Sequence, residues 1–507
     1  MKKTLFMAVD LGTSLIKTGI YDEDGCCRAL AQESVHSEQP APDQFIQRGG
    51  DIYASVLRCM QNAAAQTESP EEVAAIAFTG QMAGFMGVGD DWEDITGWSC
   101  SLDTRYTPFA RRQTDKLGEA FLTVSGTGNP LFPSKYAWFS HDFPDQARRI
   151  RKYLMLNGYI LGRLGGKKPE DAVIDGSLLT WTGLADVKNR RWSEPICEAL
   201  GIDISRLPRI AASSDIAATL SERAAVMTGL RAGIPLIAGA GDKIAGCVGA
   251  GCLYGGAMLF EAASFGAISC CVDDFRPDRE ERRFDILNGA EPGKLYAHYY
   301  MPGSGITQEW FINHFVREQN EGMAEAYRKM DEAVAGITPG SDGLIAVGML
   351  GGTVMPFDGD LRGVFLGHSW SHRPEHFYRA LTESFGFSLS AAIDRINTCY
   401  PEYRDENLIR VIGGGTHSPN CLQIYADIIG IPLETFGQDD TALWGACVLA
   451  AKGIGLTEEP AEFAEKHLIP GKRYEPDPER HKTYHRLKEQ YLRYEESLAG
   501  LCRERIH

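Results

Sequence analysis

The chain has 507 residues, 44% hydrophobic and 23% charged, with 55 glycines and a formal net charge of −17. So long a chain exceeds what one core usually holds, and it reads as a globular protein of two large domains. The negative charge argues against a nucleic-acid or anionic-membrane surface, and no apolar run approaches the ~20 residues that span a bilayer.

The first element is a strand that runs through Ala8-Val9 into Asp10-Leu11-Gly12-Thr13-Ser14 and returns through Ile16 to Tyr21. It reads as a β-hairpin with a carboxylate, a glycine and two hydroxyls about its tip. A glycine lets backbone approach a bulky anion, and successive N–H groups at a tight turn form an anion-binding concavity. A carboxylate facing phosphate is repulsive unless a divalent cation lies between them, so the tip suits a magnesium–nucleotide complex. An ordinary acidic hairpin is the plainer alternative. Asp10 also cuts short the N-terminal apolar stretch before it reaches signal-peptide length.

A strand over residues 29–36 follows, then a helix to about residue 67 with Asp51 as its cap. Residues 73–79 form a buried strand that ends in Gly80-Gln81-Met82. Helices are expected over 108–117, 143–164 and 195–200. Residues 236–239 are a strand entering Ala240-Gly241-Asp242-Lys243 and a helix of small residues over 244–251. A boundary near residues 252–256 divides the chain into 1–252 and 253–507.

The second part opens as the first does. Residues 257–274 repeat the design, with Ser264-Phe265-Gly266 at the turn, and Gly12 and Gly266 stand about half a chain apart. Two such hairpins suggest a duplicated domain closing on one ligand. Residues 408–412 then form a strand entering Gly413-Gly414-Gly415, and helices are expected over 418–429, 440–452 and 477–498. Alternating strands and helices argue for α/β layers. The 13 cysteines show no CxxC pair and fit reduced thiols in a cytoplasmic protein.

Three glycines at 413–415 leave room for a planar base or ribose against backbone, and the helix that follows offers free N–H groups. Asp242 sits at the carboxyl end of a strand, where open α/β sheets bind ligands, and could accept a hydroxyl proton; a helix cap is the alternative. Gln81, Asp103 and Arg105 suit polyol hydroxyls. A GxxxxGK[ST] loop is absent, so this is not a P-loop protein.

In order, these motifs resemble the FGGY carbohydrate kinases, xylulose kinase-like members above all, within the actin-like, Hsp70-like and hexokinase-like ATPase superfamily. Residues 9–14 resemble the first phosphate motif, 80–82 and 102–105 the sugar-side motifs, and 239–242 the motif of the catalytic aspartate. Residues 264–266 resemble the second phosphate motif, and 413–418 with Gln423, Ala426 and Asp427 the adenosine motif. The resemblance implies two ribonuclease H-like domains with a ligand cleft between them. The first would hold the sugar and the catalytic aspartate, the second the nucleotide.

It also implies ATP-dependent phosphorylation of a small open-chain sugar or polyol, with a ketopentose such as D-xylulose foremost. Gluconate, ribulose and erythritol-type kinases, or a non-catalytic ATP-binding sensor, are the alternatives. By this resemblance Asp242 takes the proton, and Gln81, Met82, Asp103 and Asp242 surround the sugar. Asp10, Gly12, Thr13, Ser14, Lys17, Gly266, Ala267, Gly414, Gly415 and Asn420 serve the nucleotide, and Asp10 holds Mg2+ through water. Sugar and ATP are the expected partners, without nucleic acid or membrane; a homodimer is left open. Three positions depart from the family pattern: Ala267 stands where threonine is common, Lys243 where asparagine or alanine is common, and Ala83 where many xylulose kinases have histidine. The glycerol-kinase Arg-Glu pair is missing, which disfavours glycerol.

Overall fold

The computed structural model describes residues 3–503 save 129, 130, 302, 349, 351, 356, 359–361, 407 and 439. The near-continuous apolar run LFMAVDL forms β1 (Leu5–Leu11), buried along almost its whole length as befits a strand covered on both faces. It turns at Gly12 into β2 (Leu15–Asp22), and β3 (Cys27–Ser34) follows after the second turn. Helix α1 (Gly49–Gln66) leads to β4 (Val73–Gly80); β5 (Ile216–Thr219) and β6 (Pro235–Ile237) complete a sheet of order β5-β6-β4-β1-β2-β3. Helix α2 (Asp242–Gly249) leaves the end of β6.

The second sheet repeats the pattern. Its strands are β7 (Met258–Glu261), β8 (Gly266–Val272), β9 (Asp285–Asn288), β10 (Leu295–Met301), β11 (Ile409–Ile412), β12 (Leu433–Phe436) and β13 (Pro470–Tyr474). They lie in the order β9-β10-β8-β7-β11-β12-β13. Five adjacent strands of each sheet, β3-β2-β1-β4-β6 in one and β10-β8-β7-β11-β12 in the other, share order and direction. Each has two antiparallel pairings followed by two parallel ones. This is the duplication that the two hairpins suggested. The second sheet carries α3 (Ser304–Phe311), α4 (Met323–Val334), the long α5 (Pro374–Cys399) and α6 (Pro419–Ile429).

Helix α7 (Thr441–Gly453) buries Leu443 to Ala451 in the core of the first sheet, crossing α2. The crossing depends on glycine. A Cβ on Gly249 would lie 2.0 Å from the Thr441 carbonyl oxygen, and one on Gly445 would lie 1.8 Å from that of Ala245. Both halves of the chain thus meet along one helix pair, α2 against α7.

Two expectations are corrected. Helix α1 starts at Gly49, so Asp51 lies in its first turn; its N-terminus is satisfied by Asp94, whose Oδ2 accepts from the Gly49 N–H at 2.7 Å. The single helix expected over 143–164 is two, Pro144–Arg149 and Leu156–Leu164, split by the strand Lys152–Leu154. That strand pairs with Gly84–Val88, and the sheet partner outweighs helical periodicity there.

Candidate active site

Four chain reversals meet between the sheets. The first is the β1–β2 tip. A Cβ on Gly12 would lie 2.5 Å from the Leu15 carbonyl oxygen, so only glycine permits so tight a return. The second follows β4, where Gly80 at φ +144° approaches Leu11 and the Gln81 N–H donates to the Leu11 carbonyl at 3.2 Å. The third is the β6–α2 turn. Gly239 at φ +77° packs on the backbone of Phe78, and Gly241 packs on Met82, whose Cγ stands where a Cβ would fall at 2.3 Å. The fourth is the β7–β8 turn around Phe265.

Together these form a cavity of about 330 Å3 lined from both halves of the chain. Thr13, Ser14, Gln81, Met82, Ser101, Trp181, Asp242 and Lys243 line it from one side, and Phe265, Asp285, Tyr300 and Met355 from the other. Asp242 is the first residue of α2, with Gly241 in the capping position, so its carboxylate is not used as the cap and is presented to the cavity. Its Oδ1 accepts from the Lys243 N–H at 2.7 Å. Burial raises the Asp242 pKa, the Lys243 charge opposes that, and Glu261 adds to it. The Gln81 side chain accepts from Trp98 Nε1 at 3.1 Å, while its Nε2 is buried with no protein partner, a donor without an acceptor. Asp285 accepts from the Gly128 N–H at 2.8 Å and the Thr127 hydroxyl at 3.0 Å, and burial pushes it up to about 6.

A second cavity, of about 580 Å3, lies wholly within residues 260–425, between the β7–β8 turn, α3, α4 and the glycine run. Gly413 and Gly415 are explained by packing, since a Cβ on either would stand 2.6 or 2.7 Å from Ala262. Gly414 is not: a Cβ there meets nothing within 4 Å and would project into open space at the cavity wall. The opening holds Phe260, Tyr327 and Tyr425 for a flat aromatic group, with Ser264, Gln308 and Ser418 for polar ones.

Asp10 stands on β1 opposite Lys17 on β2. Burial, then the charges of Asp440 and Asp242, push it up to about 7, against the pull of Lys17 and Lys243. Carboxylate oxygens are ligands for Mg2+. Among the described residues no three ligating side chains gather into a metal cage. Mg2+ characteristically keeps several waters and takes one or two carboxylates plus phosphate oxygens. Asp10 is the residue that would hold it, and the ion would supply the positive charge that this acidic site lacks.

Other expected site residues have partners of their own. Lys17 Nζ is 3.0 Å from Asp440. The Gly266 N–H donates to Ser304 Oγ at 2.9 Å. Ala267 is 1% exposed and lines neither cavity. Asp103 is fully buried, bridged by Arg105 at 2.8 Å and hydrogen-bonded to Ser99 at 2.6 Å, one residue behind the cavity wall at Leu102. Asn420 gives its amide to Asp331 at 3.0 Å instead of turning to the large cavity. Two functional candidates escaped the sequence reading. The sequence marks Asp440 only as a helix start, and an acidic residue before a helix of small residues is the signal it offers. Glu261, paired with Lys243 at 2.5 Å, lay unmarked at the end of β7.

Two duplicated α/β units carry one cavity lined from both halves of the chain and another inside the second, room for two ligands. The N-terminal domain profile of the FGGY family of carbohydrate kinases matches residues 5–249, and its C-terminal domain profile matches residues 285–454. The chain belongs to that family. It is 25% identical over 498 residues to a xylulose kinase of Bacillus subtilis, covering 96% of this chain and 95% of that one. Its fold is shared, at a TM-score of 0.89 and 22% identity, with a gluconate kinase of Lactobacillus acidophilus (98% of this chain, 99% of that one). A ligand-bound xylulose kinase of the same organism matches equally, at 0.89 and 22% with 98% of each chain covered. Among the described residues no helix is long and apolar enough to cross a membrane.

Proposed function

We propose that this kinase transfers the γ-phosphoryl group of ATP to a hydroxyl of an uncharged open-chain sugar or polyol, with a ketopentose such as D-xylulose as the leading acceptor. The observation that carries the reading is the charge inventory of the smaller cavity. Its described ionisable walls are Asp242, Asp285, Tyr300 and Lys243, and the one ammonium is already paired with Glu261. A gluconate carboxylate would enter beside Asp242 and Asp285 and would have to compete with Glu261 for the one ammonium, and like charges brought together out of water are costly. A neutral polyol instead finds an unsatisfied donor on Gln81 and carboxylate acceptors.

In the transfer, the acceptor oxygen forms a bond to the γ-phosphorus as the bond to the β–γ bridging oxygen breaks. ADP leaves with that electron pair, and the hydroxyl proton passes to Asp242. Because the transition state is loose, positioning and charge neutralisation matter more than base strength. Asp10 would hold Mg2+, which would supply positive charge to offset the phosphates, and Gly414 would face the nucleoside. The division at residues 1–252 and 253–507 gives the acceptor side to the first domain and the nucleotide to the second, and closure of one on the other excludes water.

A coupled ADP-release assay over ketopentoses, pentitols, tetritols and aldonates tests this. A neutral acceptor should exceed gluconate in kcat/KM by about tenfold or more, since tenfold is about 1.4 kcal/mol and a poorly paired buried charge costs at least that much. Gluconate as the best substrate would defeat the reading.

A further inference from the structure

Lys243 follows the proton acceptor directly and lines the acceptor cavity, with its side chain 16% exposed. Its Nζ is 2.5 Å from Oε2 of Glu261, which ends β7 and stands in register opposite Ala267, the residue after Gly266. The ammonium therefore lies between the catalytic helix of one half and the phosphate hairpin of the other. Four carboxylates, Asp10, Asp242, Glu261 and Asp440, act on one another here, and the ammoniums facing them are Lys17 and Lys243. Lys17 is held at 3.0 Å by Asp440 and lines neither cavity. An incoming triphosphate adds more negative charge to a site already in excess of it.

We propose that Lys243 is a phosphate-binding cation of the transfer step, exchanging Glu261 for the γ-phosphoryl oxygens once the triphosphate is bound. The proposal rests on the kinase reading above. A lysine ammonium is a compact charge on a flexible four-carbon stem, able to change partners without moving the backbone. Charge spreads over the equatorial phosphoryl oxygens in the loose transition state, where a preplaced cation stabilises it more than it stabilises the ground state. Ala267, which stands opposite Glu261 in the strand pair, has no hydroxyl to offer there. The plainer alternative is that the pair only ties the two halves together.

The variants K243M and E261Q separate these roles, because both break the pair and only one removes the cation. Binding of MgADP and of the non-hydrolysable triphosphate AMP-PNP is measured by calorimetry, alongside kcat and KM for the acceptor, with melting curves to confirm folding. K243M should bind AMP-PNP about tenfold more weakly, with ADP affinity within about twofold, and lose about 100-fold in kcat with little change in acceptor KM. E261Q should keep at least about ten times the turnover of K243M. Equal losses in the two variants would make the pair a tether and overturn the proposal, as would AMP-PNP binding untouched by K243M. If the wild type phosphorylates no sugar, the kinase reading fails, and the ADP against AMP-PNP comparison still decides the place of Lys243.

Discussion

Lys17 Nζ lies 3.0 Å from Asp440 Oδ2, joining two residues 423 positions apart and fixing the start of α7 against the first hairpin. The other carboxylate oxygen, Oδ1, accepts from the Leu443 N–H at 3.1 Å, so Asp440 is both a helix cap and the ion-pair partner of Lys17. Loss of a cap costs about 0.5–2 kcal/mol, whereas asparagine caps as well as aspartate. Asp440→Ala should therefore lower the thermal midpoint clearly and Asp440→Asn much less. Equal shifts would show that the ion pair, not the cap, supplies the stability.

Asp10→Asn should weaken nucleotide binding in the presence of Mg2+ far more than in its absence. The carboxylate is a source of repulsion toward phosphate until a cation stands between them. Titrations with and without Mg2+ measure this, and equal losses in both would make Asp10 a structural residue only.

Gly414→Val should weaken ATP binding about tenfold or more while leaving stability within about 0.5 kcal/mol, since no protein atom lies within 4 Å of the new Cβ. Gly413→Val is the contrasting variant. At φ +94°, with the Ala262 carbonyl 2.6 Å from its Cβ, it should unfold more readily. Unchanged nucleotide affinity in a folded Gly414→Val protein would remove the glycine run from the nucleotide site.

Asp285 is 4% exposed, and burial holds its folded pKa at about 6, above the ordinary carboxylate value of 3.8. The folded state therefore binds more protons than the unfolded state across pH 4–6, and stability falls as pH rises through that window. The shift corresponds to at most about 3 kcal/mol. Asp285→Asn keeps an oxygen for the Gly128 N–H and should flatten this part of the pH–stability profile, as read by denaturation at pH 4, 5, 6 and 7. A profile as steep as that of the wild type would assign the slope to other groups.

Much of the fold was legible because its punctuation is local. Gly12, Gly80, Gly239 and Gly413 each mark a reversal that their backbone contacts enforce, and the strands leading into them are short and apolar. The matched hairpins at Gly12 and Gly266 carried the duplication into the sequence itself. What was not legible depends on distant meetings. Glu261 and Asp440 acquire meaning only when Lys243 and Lys17 arrive, and Asn420 is taken by Asp331 from another helix. In the glycine run, Gly414 and Gly415 line the larger cavity, while Gly413 and Gly415 also allow the close approach of Ala262, a second reason for glycine that the sequence does not display.

The central claim is that Asp242 takes the proton of an acceptor hydroxyl as the phosphoryl group is transferred. Its most direct test is sugar-dependent ADP formation by the wild type and by Asp242→Ala, with sugar phosphate followed in parallel by phosphorus NMR and nucleotide binding by calorimetry. The wild type should form ADP and sugar phosphate in equal amounts. The variant should bind ATP normally and turn over about 10²–10⁴-fold more slowly, the usual cost of losing a general base. Turnover within about threefold of the wild type in a folded Asp242→Ala protein would contradict the account, since so small a loss leaves no general-base role for Asp242.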